Sequence, residues 1–270
     1  MKKAFLITGS GRSGTQNLVK FIKKFSRWDV EHERNFNQIL KLGVLNFYNC
    51  DDTDQKEIIY EEYKKQIYKP QSSHTFVDVS NALIWCINDV DKLFENNQNI
   101  MVIRNGYKVI SSFYYKFKSM MYPDEQILKA RDDFLSGNFK HPLDKTFWRP
   151  LPNCSDFYSN YKDHLRFATI CWYWSETINI YEKNIDLFNG NFFKFEEIVS
   201  GVKLEKFCKI LGIPVTNESE AATFFFRPTN VAKPENFKMN IDQIGIFSEI
   251  CSKHMNKYYG SVNEYYDVSY

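Results

Sequence analysis

The hydrophobic pattern of this chain changes repeatedly between two periods. Short apolar runs predict strands near 3–8, 28–31, 75–79, 99–103 and 191–195. Between them, apolar residues recur at helical spacing. Leu18, Val19, Phe21, Ile22 and Phe25 follow the first run. Further on, Phe167, Cys171, Trp174, Ile178, Tyr181 and Ile185 form one apolar stripe. That spacing puts Trp174 in the core and turns Trp172 and Tyr173 toward a cleft. The segment 51–69 predicts a polar helix starting near Asp52 or Thr53. From about 137 to 160 there is no period, only Pro, Gly, Asn and aromatics, which predicts a long functional loop or lid. The end of the chain, from Glu264 to Tyr270, predicts a docked or frayed tail. Strands alternating with helices predict an α/β fold with three layers: a central, mainly parallel sheet flanked by helices. At 270 residues a single domain is expected, with a lid or acceptor-binding insertion at about 120–165.

The first strand runs into Gly9-Ser10-Gly11-Arg12-Ser13-Gly14-Thr15. Strand, glycine-rich turn and helix form the layout in which backbone N–H groups and a helix N-terminus cradle a phosphate. Ser13 and Thr15 add hydroxyls, and Arg12 adds a planar cation suited to phosphate oxygens. The lysine that a Walker loop places after its last glycine is missing, because Thr15 stands there. This disfavours an ordinary ATP or GTP phosphotransferase. At the end of the fourth strand stands Arg104, and Ser112 follows eight residues later. A strand-end arginine and a serine in the next helix can converge on one anion.

With these two elements the chain resembles the sulfotransferase family, whose donor is 3′-phosphoadenosine-5′-phosphosulfate (PAPS). The family's R-[DN]-P-x-x-x-x-x-S pattern grips the 3′-phosphate, and here it reads Arg104, Asn105, then Gly106 in place of proline, and Ser112. The family's K/R-S-G-T loop grips the 5′-phosphosulfate, and here it is Arg12-Ser13-Gly14-Thr15. Phe193–Ile198 resembles a later Y-E-D/E strand-end segment, and Val202–Pro214 the helix ending in LGIP. The resemblance implies a P-loop nucleotide-binding type of fold. It also implies PAPS as donor, 3′,5′-ADP as product and no metal, with donor contacts from Gly11, Arg12, Ser13, Gly14, Thr15, Arg104 and Ser112. Arg227 and Lys233 resemble a late basic loop over the nucleotide.

For the acceptor's proton, Val30-Glu31-His32-Glu33-Arg34 offers a base at the end of the second strand. Glu33 follows Arg12 by 21 residues, as in the family's protein-tyrosine branch. Glu33 is the expected base and His32 the second candidate. The Lys-x-His of the cytosolic small-molecule branch is absent, since that point reads Asp78-Val79-Ser80-Asn81. There Asp78 is expected to orient the acceptor, and Ser80 to bond the donor or cap the next helix. Trp172 is a further candidate acceptor contact.

Composition narrows the partners. A net charge of +2 gives no nucleic-acid signature. Six scattered cysteines without a C-x-x-C pair predict a reducing compartment. His74, His141, His164 and His254 lack metal-ligand spacing. No run of about 18 apolar residues predicts a membrane span, so the cytoplasm is expected. The 17% aromatic content suits both a packed core and a stacking cleft. A sugar hydroxyl is the expected acceptor, with a peptide tyrosine or small phenol second. The alternatives are a small-molecule kinase on a P-loop and a non-catalytic nucleotide-binding protein.

Overall fold

A computed structural model of the chain describes residues 3–50, 53–67, 75–116, 122, 124–138, 149–214, 223–225 and 239–260. Five strands form one sheet: β1 (Lys3–Thr8), β2 (Asp29–His32), β3 (Thr75–Val79), β4 (Asn97–Ile103) and β5 (Phe192–Lys194). Their order is β2-β3-β1-β4-β5, and every neighbouring pair is parallel. The fold is therefore the expected three-layer α/β arrangement.

Both faces of the sheet are covered, so the strands read as continuous apolar runs rather than alternating ones. Phe5, Ile7, Val77, Val79, Val102 and Phe193 face α1 (Thr15–Phe25) and two later helices that are α9 and α10 in chain order (Phe195–Val199 and Leu204–Leu211). Ala4, Leu6, Phe76, Met101 and Ile103 face the opposite layer. That layer includes α2 (Phe36–Phe47), α3 (Thr53–Ile67), a 3₁₀ turn (Leu83–Cys86) running into α4 (Ile87–Asp91), and α5 (Gly106–Lys116). It is completed by α6 (Asp124–Leu135), α7 (Ser155–Asn160), α8 (Leu165–Lys183) and α11 (Ile241–Tyr259). The N-terminus of α11 carries a capping box, between Asn240 and Gln243.

Several expectations are corrected. The span 137–160 is not structureless throughout, because α7 begins at Ser155; residues 139–148 lie outside the described set. The α8 stripe ends early: Phe167, Cys171, Trp174, Ile178 and Tyr181 are buried, but Ile185 lies past the helix and is half exposed. Tyr173 does not face an open cleft. It is 1% exposed, because α8 is enclosed by α5 and α11 on one side and by the 3₁₀ turn on another. Two buried faces defeat a single-stripe reading. The tail from Glu264 to Tyr270 lies outside the described residues.

Chain order reverses around β1: β2 and β3 lie to one side, β4 and β5 to the other. The crevice at the carboxyl ends of β1 and β4 is thus a topological switch point, where open α/β sheets bind ligands.

Candidate active site

The loop after β1 is shaped by steric necessity. A Cβ at Gly9 would lie 1.9 Å from the Val102 carbonyl oxygen, so only glycine lets the chain leave β1 so close to β4. Gly14 has φ +80°, and a Cβ there would strike the Phe195 ring at 2.2 Å. Inside the loop, Ser10 Oγ and Ser13 Oγ lie 2.7 Å apart. The loop opens into α1, whose N-terminus has no side-chain cap hydrogen bond and no acidic residue in its first turn. Both features favour an anion there.

The two predicted anion-binding arginines meet. Arg12, held at φ 67°, donates from Nε to Ser112 Oγ at 2.9 Å. Arg104 Nη1 donates to the Arg12 carbonyl oxygen at 3.1 Å. Ser112 therefore contacts Arg12 directly, and Arg104 reaches the same place through the Arg12 backbone. Burial, then the like charge of Arg104, pushes the Arg12 pKa down. Arg104 Nε is buried without a hydrogen-bond partner. Two adjacent cations beside a helix N-terminus are the electrostatic signature of an anion site.

Local structure explains the turn after β4. Asn105 Oδ1 accepts from the Lys108 N–H at 3.3 Å, as an N-cap of α5. Glu196, at the start of α9, accepts from the Asn105 N–H at 3.1 Å. The strand-end glutamate thus anchors the arginine turn. Trp174 Nε1 donates to the Arg104 carbonyl at 3.0 Å. The Trp174 ring would lie 3.0 Å from a Cβ at Gly106. The indole accordingly leaves little room for anything but glycine at that position.

On the other side of the loop stand the two candidate bases. His32 Nε2 lies 2.9 Å from Thr15 Oγ1, and His32 Nδ1 lies 3.6 Å from Glu33 Oε2. Burial lowers the His32 pKa, and Glu33 opposes that shift. Glu33 has φ 56°, its N–H donates to the Val79 carbonyl at 3.1 Å, and its Oε1 accepts from Asn81 Nδ2 at 2.6 Å. Asn81 Oδ1 in turn accepts from the Tyr173 hydroxyl at 3.3 Å. The Glu33 side chain is 23% exposed. The carboxylate is therefore held by fixed partners and still reachable.

The neighbouring residues of that segment are structural. Arg34, nearly fully buried, pairs with Asp29 at 2.9 Å and Glu31 at 3.1 Å, and lies over the Phe76 ring.

Other predicted residues are placed elsewhere. Both oxygens of the fully buried Asp78 are engaged: Tyr63 Oη donates to Oδ2 at 2.7 Å, and the Arg34 N–H donates to Oδ1 at 3.3 Å. Asp78 thus braces the end of β3 from inside the core, which is a correction to its expected contact with an acceptor. Ser80 is fully buried, and its Oγ accepts from the Ala82 N–H at 3.2 Å, a local turn bond ahead of the 3₁₀ turn, whose cap position is Ala82 and has no side-chain cap hydrogen bond. Trp172 lies against Phe47 and Trp85, and lines a groove with Phe157 and Lys183. Trp85 stacks on Tyr173, 5.4 Å between ring centres, so Trp172 is separated from the Glu33 network by that ring. Arg227 and Lys233 lie outside the described residues.

The sequence pattern gives Asn81 no role in the site and misdirects Tyr173. It passes over Glu196 as an anchor and Arg149 altogether. Among the described residues no cluster of His, Cys, Asp or Glu could hold a metal ion. No helix among them is long and apolar enough to cross a membrane.

No protein-family profile matches the chain, and no curated relative matches it. Among solved structures it is similar to the sulfotransferase domain from the curacin biosynthetic pathway. That match has 14% identity and a TM-score of 0.43, and covers 92% of this chain and 97% of that one. It is also similar to a sulfotransferase from Alicyclobacillus acidocaldarius, at 11% identity and a TM-score of 0.48, over 98% of both chains. At this distance neither likeness assigns a residue or an activity.

Proposed function

We propose that this chain is a PAPS-dependent sulfotransferase acting on an acceptor hydroxyl. The observation that carries the proposal is the convergence of Arg12, Ser112 and Arg104 beside a glycine-rich loop, with Glu33 held at the neighbouring strand end. The site suits a doubly anionic donor. Two arginines supply the charge, the buried Arg104 Nε lacks a partner, and the loop leads into a helix N-terminus without a side-chain cap.

PAPS supplies the sulfuryl group and leaves as 3′,5′-ADP. The loop from Gly11 to Thr15 would hold its 5′ side, and Arg104 with Ser112 its 3′-phosphate. Arg12 stabilises the charge that develops at the leaving oxygen, which acts on the transition state more than on the ground state. Glu33 takes the acceptor proton at one carboxylate oxygen, while Asn81 holds the other. His32 ties Thr15 to Glu33, a positioning role. Arg227 and Lys233 are proposed as further donor contacts on the sequence resemblance alone. The aromatic and polar composition of the expected lid favours a sugar hydroxyl as acceptor, with a tyrosine or small phenol second.

Transfer of radiolabelled sulfate from PAPS, screened over saccharide, phenol and peptide acceptors, tests the proposal. Labelled product with at least one class is expected. Release of ADP from ATP by the same protein, with no labelled product, would favour a kinase instead.

A further inference from the structure

Arg149 is a buried cation without a counter-charge among the described residues. It is 7% exposed, and its Nε and Nη1 are covered by protein and have no hydrogen-bond partner. No ion pair joins it to any of the described residues. A buried charge with no partner is costly to hold, yet this one is firmly placed. Three tyrosines donate to the three carbonyls that follow it: Tyr122 to Pro150 at 3.5 Å, Tyr48 to Leu151 at 2.9 Å and Tyr158 to Pro152 at 2.8 Å. The backbone after Arg149 is thereby fixed at every step.

The guanidinium lies beside two residues that border the base side of the site. Its carbon lies 6.0 Å from the ring centres of Phe36 and of Tyr173. Phe36 begins α2, three residues after Glu33. Tyr173 is the residue whose hydroxyl bonds Asn81, which holds Glu33. The positive charge of Arg149 and the negative charge of Glu33 both act on the Tyr173 hydroxyl. Arg149 and the Asn81–Glu33 pair therefore both adjoin Tyr173. Arg12 and Arg104, by contrast, are joined to each other at the phosphate loop.

We infer that Arg149 binds an anionic group of the acceptor and so selects hydroxyl compounds that carry a carboxylate or a sulfate or phosphate ester. The word acceptor here rests on the sulfotransferase proposal; the anion site does not. A guanidinium fits all three oxyanions. A neutral ligand would leave the buried charge as exposed to cost as before.

Binding to the protein saturated with 3′,5′-ADP tests this inference. The probes are D-glucuronate against D-glucose, D-glucose 6-sulfate against D-glucose, and 4-hydroxyphenylacetate against its amide. At least tenfold tighter binding of the anion is expected in one or more pairs, and the first two separate carboxylate from sulfate ester. Arg149→Gln should erase that preference while leaving 3′,5′-ADP affinity unchanged, and Arg149→Lys should restore part of it. No charge preference in wild-type protein in any pair would overturn the inference without need of a variant. A preference that survives in Arg149→Gln would also overturn it. Failure of wild-type protein to bind 3′,5′-ADP would count against the sulfotransferase proposal alone. The same pairs on nucleotide-free wild type and Arg149→Gln would then decide Arg149 by the same two outcomes.

Discussion

Arg12 Nε donates to Ser112 Oγ at 2.9 Å, joining the loop after β1 to the helix after β4 across a hundred residues of chain. The contact makes one site of two motifs that are remote in sequence. It also separates the arginines by role: Arg12 stands in the loop, while Arg104 reaches it only through the Arg12 carbonyl. Arg104→Ala should weaken 3′,5′-ADP binding by the worth of a charge-assisted contact, about 1.5–3 kcal/mol. Arg12→Ala should lower turnover more than nucleotide affinity, because the charge it meets grows as the bond breaks. Calorimetry and steady-state kinetics on both variants would show the opposite pattern if the roles were exchanged.

Glu33→Gln keeps the shape and the Asn81 contact but cannot take a proton. Turnover should fall about 10²–10⁴-fold, with 3′,5′-ADP affinity nearly unchanged. Asn81→Ala should cost less, since it frees the carboxylate without removing it. His32→Asn should also cost less. A nearly active Glu33→Gln together with an inactive His32→Asn would make histidine the base.

Burial raises the Asp78 carboxyl to about 7, against the hydrogen bonds from Tyr63 and the Arg34 backbone and the charge of Arg34. The folded protein thus holds a proton that the unfolded chain releases near 3.8. This contribution to stability is complete below that value and is lost as pH rises through about 7. Asp78→Asn keeps one oxygen to accept from the Arg34 N–H, can donate from its amide nitrogen to the Tyr63 hydroxyl oxygen, and does not ionise. Its melting temperature should therefore fall less between pH 5 and pH 8 than that of wild type, by scanning calorimetry at matched ionic strength. Parallel curves would remove Asp78 as the cause.

Gly106 stands where the sulfotransferase pattern has proline, and the Trp174 ring explains the exchange. A Cβ would meet three ring atoms at 3.0 Å, and the indole is fully buried and bonded to the Arg104 carbonyl. Gly106→Ala should destabilise the fold by about 1–3 kcal/mol, the range for overpacking. It should also weaken 3′,5′-ADP binding, because the indole cannot yield without moving the Arg104 turn. Urea unfolding and calorimetry measure the two effects, and stability equal to wild type would show that the core yields freely.

The legible parts of the sequence were those set by local pattern. The unbroken apolar runs of β1 and β3 marked strands buried on both faces, and their predicted bounds hold. The glycine loop was legible because steric demands at Gly9 and Gly14 leave no other residue. The pairing of Arg104 with the loop was legible as a strand-end motif. What stayed hidden depends on contacts between distant segments. Tyr173 was misplaced because α8 is covered on two faces, which a single stripe does not reveal. Asp78 was read as a site carboxylate because its burying partners, Tyr63 and Arg34, come from α3 and from beyond β2. Arg149 carried no motif, and only the three tyrosines around it show that its burial is built into the fold.

The central claim is that the site is made for a nucleotide with a 3′-phosphate. Isothermal calorimetry of 3′,5′-ADP against 5′-AMP tests it most directly, because the ligands differ only in that group. The account predicts at least tenfold tighter binding of 3′,5′-ADP, in keeping with a charge-assisted contact worth about 1.5–3 kcal/mol, and loss of that advantage in Arg104→Ala. Equal affinity of the wild-type protein for the two nucleotides would contradict it.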